Sequence, residues 1–151
     1  MMLSARLLAI ALISFGAAAS IAARVDAVRT RIANYRAVGT AFKSANDALR
    51  VEPADLRVVR RSAAAIQEAS RGQYRWFPAG SGARPGVKTA AKADIWARAA
   101  AFRAAQDAFA RQAEVLVRVA AGSDVAAIRI ETRKLGAACK SCHDSFRESD
   151  D

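Results

Sequence analysis

The chain has 151 residues, with 24 Lys and Arg against 14 Asp and Glu, for a net charge of +10. That length argues for one domain. The basic balance on its own would admit nucleic-acid binding, but no stacking aromatics are interleaved with the basic residues, so acidic proteins or an anionic surface are the better-matched partners.

The N-terminus opens with a short positive segment through Arg6, an apolar run "LLAIALISF" over residues 7–15, and then small residues, "GAAASIAA". This is the layout of a secretory signal peptide, with cleavage expected between Ala19 and Ala23. The apolar stretch is near the lower limit for spanning a bilayer. The expected organisation is therefore a signal peptide over residues 1–23 and an exported, periplasmic domain over 24–151. Removing the segment takes only Arg6 from the charged residues, so the domain stays strongly basic.

Helical spacing recurs along the rest of the chain. Val25, Val28, Ile32, Tyr35, Gly39 and Phe42 step by three and four and predict a core-facing stripe on a first helix. Pro53 suits the first turn of a second helix, with Glu52 just ahead, and Leu56, Val59, Ala63 and Ile66 form its stripe. The pattern fails over residues 72–88, "GQYRWFPAGSGARPGVK", which reads as a loop. A third helix is predicted over residues 91–121, with Ile95, Ala99, Phe102, Gln106, Phe109, Ala113, Leu116 and Ala120 inward. Gly122 is suited to its C-terminal cap, and Ser123 or Asp124 to the N-cap of a fourth helix. On that helix Val125, Ile128, Thr132, Leu135, Cys139, Cys142 and Phe146 form the stripe. Four such helices with one long loop predict an all-α, antiparallel four-helix bundle.

The fourth stripe carries the chemistry. "CKSCH", residues 139–143, holds both cysteines and the single histidine of the sequence. A structural zinc site needs four ligands, and the chain offers three of the right kind. A thioredoxin-like dithiol should follow a strand in a βαβ unit, which is missing from the pattern. A simple Cys139–Cys142 disulfide leaves His143 unexplained. C-x-x-C-H is the attachment signature of c-type haem. One haem c is thus expected, held by thioethers at Cys139 and Cys142 and ligated to iron by His143. The haem would add apolar core to a small chain rich in alanine.

The opposite axial position lacks an obvious ligand. No second histidine exists, and the methionines are Met1 and Met2, in the expected signal peptide. A lysine ligand would first have to lose its proton. With His143 committed to iron, no general base of the usual kind remains, and no catalytic set is apparent.

These motifs resemble those of class II cytochromes c, the four-helix cytochrome c-prime family. The resemblance rests on "RIANYRAVGTAFK", "FPAGSG", "ADIW…F" and "CKSCHDSFR", in the family's order, and it covers essentially the whole exported domain. In that family the residue four after the first-helix arginine covers the open haem face. Here it is Tyr35, four after Arg31, where the low-spin branch has methionine. The loop and "ADIW" look more like that methionine-ligated branch. Tyr35 has three readings: ordinary packing, a bulky cover over vacant iron, or phenolate ligation, which haem can accept. The cover is the expectation, with five-coordinate, mainly high-spin ferric iron. The resemblance implies that Arg31 lies toward a haem propionate and Arg147 beside the proximal imidazole. Trp96 and Phe77 look like pocket or core aromatics. Arg57, Arg60 and Arg61 fall opposite their helix's stripe, on a solvated face. Single-electron transfer with acidic redox partners is the expected function, and nitric oxide or carbon monoxide binding the rival. A homodimer through the first two helices is what many relatives suggest.

Overall fold

The computed structural model describes residues 3–149, and the side chains of residues 22–149. The expected signal segment and its cleavage window fall almost entirely outside the described side chains.

Among the described residues, five α-helices follow one another, α1 (Leu3–Arg50), α2 (Leu56–Gly72), α3 (Asp94–Ala97), α4 (Ala99–Ala120) and α5 (Val125–Phe146), with a 3-10 turn over Gln73–Arg75 directly after α2. The described residues contain no strand. α1, α2, α4 and α5 form an antiparallel four-helix bundle, and the long connection after α2 folds over one end. Arg129 reaches Leu49 O at the far end of the α1–α5 pair, and a Cβ on Gly136 would sit 3.1 Å from Phe42 Cζ nearer its middle. Three sides of the bundle pack along their length: α1 on α2, α2 on α4 and α4 on α5. The α1–α5 side is the loosest.

The buried line on α1 is rotated from the expected one. Val28, Arg31, Val38, Ala45, Ala48 and Leu49 are buried, with Tyr35 and Phe42 half-buried between them. Gly39, placed inward by its spacing, is exposed, and Ile32 and Val25 sit at the margin. The apolar count missed the true line because Arg31 belongs to it. A cation can occupy a core position when its donors are satisfied.

α2 begins later than Pro53. Its N-cap is Asp55, whose carboxylate accepts from Arg57 N and Val58 N, which satisfies two of the free donors at the helix start. Pro53 lies in the connection before it. Val59, Ala63 and Ile66 are buried as expected. The third predicted helix is two. Arg98 leaves helical geometry, at φ −118° and ψ 47°, and no glycine or proline marks the break. The turn exposes Ala99 while Ile95 and Phe102 stay buried. α4 ends at Ala121 as C-cap, with Gly122 N donating to Val119 O. Arg60, expected on a solvated face, caps this end through Ala120 O at 2.8 Å and Gly122 O at 3.0 Å. Asp124 caps α5.

The core has two parts. One holds Val38, Leu49, Val59, Ile66, Phe109, Leu116, Ile128 and Leu135. The other, smaller part holds Ile95, Phe102 and Phe146, with Phe77 and Trp96 packed against it.

Candidate functional site

Cys139 and Cys142 stand one turn apart on α5, both half-buried. Cys139 packs against the larger core and Cys142 against the smaller one, so the pair straddles the boundary between them. Burial raises the pKa of Cys139. Burial and then its neighbour push that of Cys142 up to about 11. Reactive dithiols have depressed thiol pKa values, so these protonated, apolar-facing thiols are unlike a dithiol redox centre. Among the described residues, no group of three or more His, Cys, Asp and Glu side chains converges as a metal cage would require.

His143 follows at the edge of the same face. Its exposed side chain borders an open depression of about 350 Å³ shared with Lys92, Asp144, Arg147, Glu148 and Ser149. Desolvation and the Arg147 charge lower its pKa, against an opposing pull from Asp144. The neutral imidazole, the form that can donate a lone pair to a metal, is therefore favoured. Arg147 sits at the C-cap of α5, where its N–H donates to His143 O at 2.9 Å. An isolated bridge pairs it with Ala91.

Across the loose side of the bundle stands Tyr35. Electrostatic coupling to both Cys142 and Cys139 marks its proximity to the pair. Its ring meets Trp76 edge-on, with centroids 4.9 Å apart, and lies 6.1 Å from Phe77. Phe77 in turn packs on Trp96 and Phe102, and Phe102 on Phe146. Burial first, then Cys142, raises the Tyr35 pKa, and Arg31 only partly offsets this. Its surroundings therefore favour the neutral phenol, whose hydroxyl is turned to Gln73 Oε1 at 3.4 Å.

Arg31 is one turn earlier and 3% exposed. Its Nη1 donates to Trp76 O and Ser81 Oγ, and its Nη2 to Ser81 O and Thr89 Oγ1. The guanidinium also lies 4.7 Å over the Phe77 ring. All four acceptors are neutral loop atoms, so the visible work of Arg31 is to clamp the 76–89 segment to α1. Reasoning from the sequence missed Ser81, Thr89, Gln73 and Trp76 as parts of this site. Ser81 lies inside the quoted "FPAGSG", but nothing local signals that it receives an arginine.

The donor set fits a haem. Two thiols one turn apart face a seam, the next residue is a neutral imidazole, and the facing wall is aromatic. The seam lies on the side of the bundle where helix–helix contact is weakest, so a flat apolar group there would gain core contacts from both clusters.

Comparison with known proteins agrees. A family model described as Cytochrome C' matches residues 26–147. The cytochrome c' of Rhodopseudomonas palustris is 35% identical over 128 residues, spanning 83% of this chain and 84% of that one. The crystal structure of cytochrome c' from Rubrivivax gelatinosus superposes with a TM-score of 0.76 at 29% identity, covering 83% of this chain and 97% of its own. A second solved cytochrome c', described as having an unusual ligand-controlled dimer dissociation, gives a TM-score of 0.79 at 25% identity, with the same coverage of 83% and 97%.

Proposed function

The chain belongs to the cytochrome c' family, and from that premise we propose that it is a periplasmic single-electron carrier whose iron has His143 as its sole protein ligand. One covalent haem c is the family's cofactor, and Cys139 and Cys142 are the two cysteines that the sequence offers for it. Bound there, haem c supplies a ferric/ferrous couple and an axial position open to small neutral ligands.

The residues divide the remaining work. His143, favoured neutral, would hold the iron through its lone pair, and the Arg147 charge works against its protonation. The aromatic wall of Tyr35, Trp76, Phe77, Phe102 and Phe146 excludes water from the other side. Tyr35 would serve as cover rather than ligand, since its ring packs on Trp76 and Phe77 and its hydroxyl is turned to Gln73. No methionine or second histidine can take that place from the domain itself. Export is supported by the signal-like N-terminus, and the family model begins just beyond the expected cleavage window.

The observation that carries this reading is the aromatic wall of Tyr35, Trp76 and Phe77, which adjoins the small core cluster against which Cys142 packs. It also favours a second reading, the binding of nitric oxide or carbon monoxide under a movable cover. A relative with ligand-controlled dimer dissociation points the same way and makes a homodimer the natural assembly to look for. Mass spectrometry of the exported protein should find a haem-sized adduct that Cys139→Ala/Cys142→Ala abolishes. Visible and electron paramagnetic resonance spectra should show high-spin ferric iron, and reduction under carbon monoxide should give a bound-ligand Soret band. A dominant low-spin ferric signal would overturn the vacant-site assignment.

A further inference from the structure

Packing alone does not hold the Tyr35 ring. Its hydroxyl reaches Gln73 Oε1 at 3.4 Å, and Gln73 is 2% exposed. The orientation of that amide is imposed from below. Gln73 Nε2 donates to Ser70 O and to Gln106 O, each at 3.0 Å. With both donors spent on carbonyls, Oε1 is turned toward α1. Gln106, itself 5% exposed, returns a bond from its Nε2 to Gln73 O at 3.2 Å. Burying two amides in an alanine-rich core costs stability unless their polar atoms are paired, and a pair of apolar residues would join α2 to α4 as well. What an apolar pair would not supply is an acceptor aimed at Tyr35.

We propose that Gln73 is a positioning residue that fixes where Tyr35 stands over the open axial side, and so sets how fast a small neutral ligand reaches the iron. This rests on the reading of Tyr35 as the cover. The ring is braced at two points: its edge-on contact with Trp76 and its hydroxyl on Gln73. The Trp76 carbonyl is itself held by Arg31. Admitting a ligand requires the ring to rotate, and rotation breaks the contact with Gln73. Gln73 would act through the tyrosine, whose hydroxyl its Oε1 accepts from.

The test is carbon monoxide association to the reduced holoprotein, followed by flash photolysis. Gln73→Met, which keeps the side chain's length and removes its acceptor, should speed association about twofold, the kinetic equivalent of a weak net hydrogen bond, as the 3.4 Å contact is longer than an ordinary O–H···O bond. Tyr35→Phe should do the same, and the double variant should be no faster than Tyr35→Phe alone. Gln106→Met loosens the same pair of helices but leaves the backbone carbonyl that orients Gln73, so it should lower the melting temperature without changing the rate. Multiplicative rates in the double variant, or equal acceleration by Gln106→Met, would overturn the proposal in favour of general loosening. Should Gln73→Met not fold, an unchanged rate in Tyr35→Phe overturns it equally. Tyr35→Ala separates the two layers: if removing the whole ring leaves the rate unchanged, the cover reading fails as well, whereas acceleration by Tyr35→Ala but not by Tyr35→Phe rejects the Gln73 tether alone.

Discussion

Replacing Arg31 with leucine should unfasten the long loop, and the structure sets the size of the effect. The guanidinium joins α1 to both ends of the 76–89 segment, with bonds of 3.3 Å to Trp76 O, 3.1 and 3.0 Å to Ser81, and 2.8 Å to Thr89 Oγ1. Ser81 is 1% exposed, so its carbonyl and hydroxyl would lose a donor where water cannot replace it. The Ser81 hydroxyl keeps its own bond to Pro78 O, which softens the loss. Trp76 O and Thr89 Oγ1 are only partly buried and can recruit water. One to two unsatisfied buried acceptors cost about 1–3 kcal/mol each, and the lost contact over Phe77 adds about 1 kcal/mol. Relief from burying a cation offsets part of this. A net loss of about 3 kcal/mol follows, or a fall in Tm of about 10 °C for a domain of this size. Urea unfolding of the holoprotein, followed by circular dichroism, measures the loss. Limited trypsin digestion should cut sooner at Lys88. Arg31→Lys should recover part of the stability, since an ammonium keeps three donors but not the planar fork. A loss below about 1 kcal/mol, with unchanged cleavage, would refute the clamp. A changed midpoint potential with an intact loop would instead return Arg31 to the propionate role that the family resemblance implies.

Other consequences are as direct. Burial raises the pKa of Tyr35 and of Tyr74, the latter also through the Asp107 carboxylate to which it donates at 2.8 Å. Above about pH 10, where unfolded tyrosine ionises, the unfolded chain holds fewer protons, so stability should fall as pH rises and should be insensitive to these groups below that point. Phenolate absorbance appearing below pH 10 without unfolding would contradict it. Between Glu68 and Asp94 the chain carries Arg71, Arg75, Arg84, Lys88 and Lys92 and no acid, so the loop end of the bundle should attract anionic reductants. Changing Arg75, Lys88 and Lys92 to glutamine should slow reduction by dithionite several-fold at low salt and flatten its salt dependence, and a rate that follows salt as before would place the attraction elsewhere. At Gly136, even a Cβ would lie 3.1 Å from the Phe42 ring. Gly136→Val should cost about 1–3 kcal/mol through overpacking, seen as a lower Tm and a perturbed Soret band, and an unchanged melt would show that the α1–α5 approach is slack there.

What was legible in the sequence follows the range of the interactions involved. The α5 stripe was readable because its buried members, Ile128, Thr132, Leu135 and Phe146, are spaced by the helix itself. The C-x-x-C-H motif was readable because its chemistry lies within five consecutive residues. Capping at Asp124 was local as well. The stripe on α1 came out rotated because hydropathy counts Arg31 as a surface residue. Its burial depends on Ser81 and Thr89, more than forty positions downstream. Gln73 raises the same difficulty, since nothing local marks its amide as buried, whereas helical spacing alone placed Gln106 inward, where it is 5% exposed. Arg60 is exposed as expected, but its bonds to backbone carbonyls at the end of another helix were not legible, because carbonyls leave no trace in composition. The break at Arg98 had no glycine or proline to announce it.

The position of the cysteines explains why the polar clamp and belt lie where they do. A bundle uniformly tight on four sides would have no room for a flat group between α1 and α5. Here the two cores meet at Cys139 and Cys142, and the side they face is the one where the helices touch least. Loosening one side of a bundle removes contacts that would otherwise fix helix register. The bonds from Arg31 to the loop and from Gln73 to Gln106 restore that register through directional links beside the seam rather than across it. Directional bonds suit this task because they fix position without filling volume. The chain thereby keeps a loose face on one side of the site and a rigid frame around it, the combination required to hold a planar group firmly.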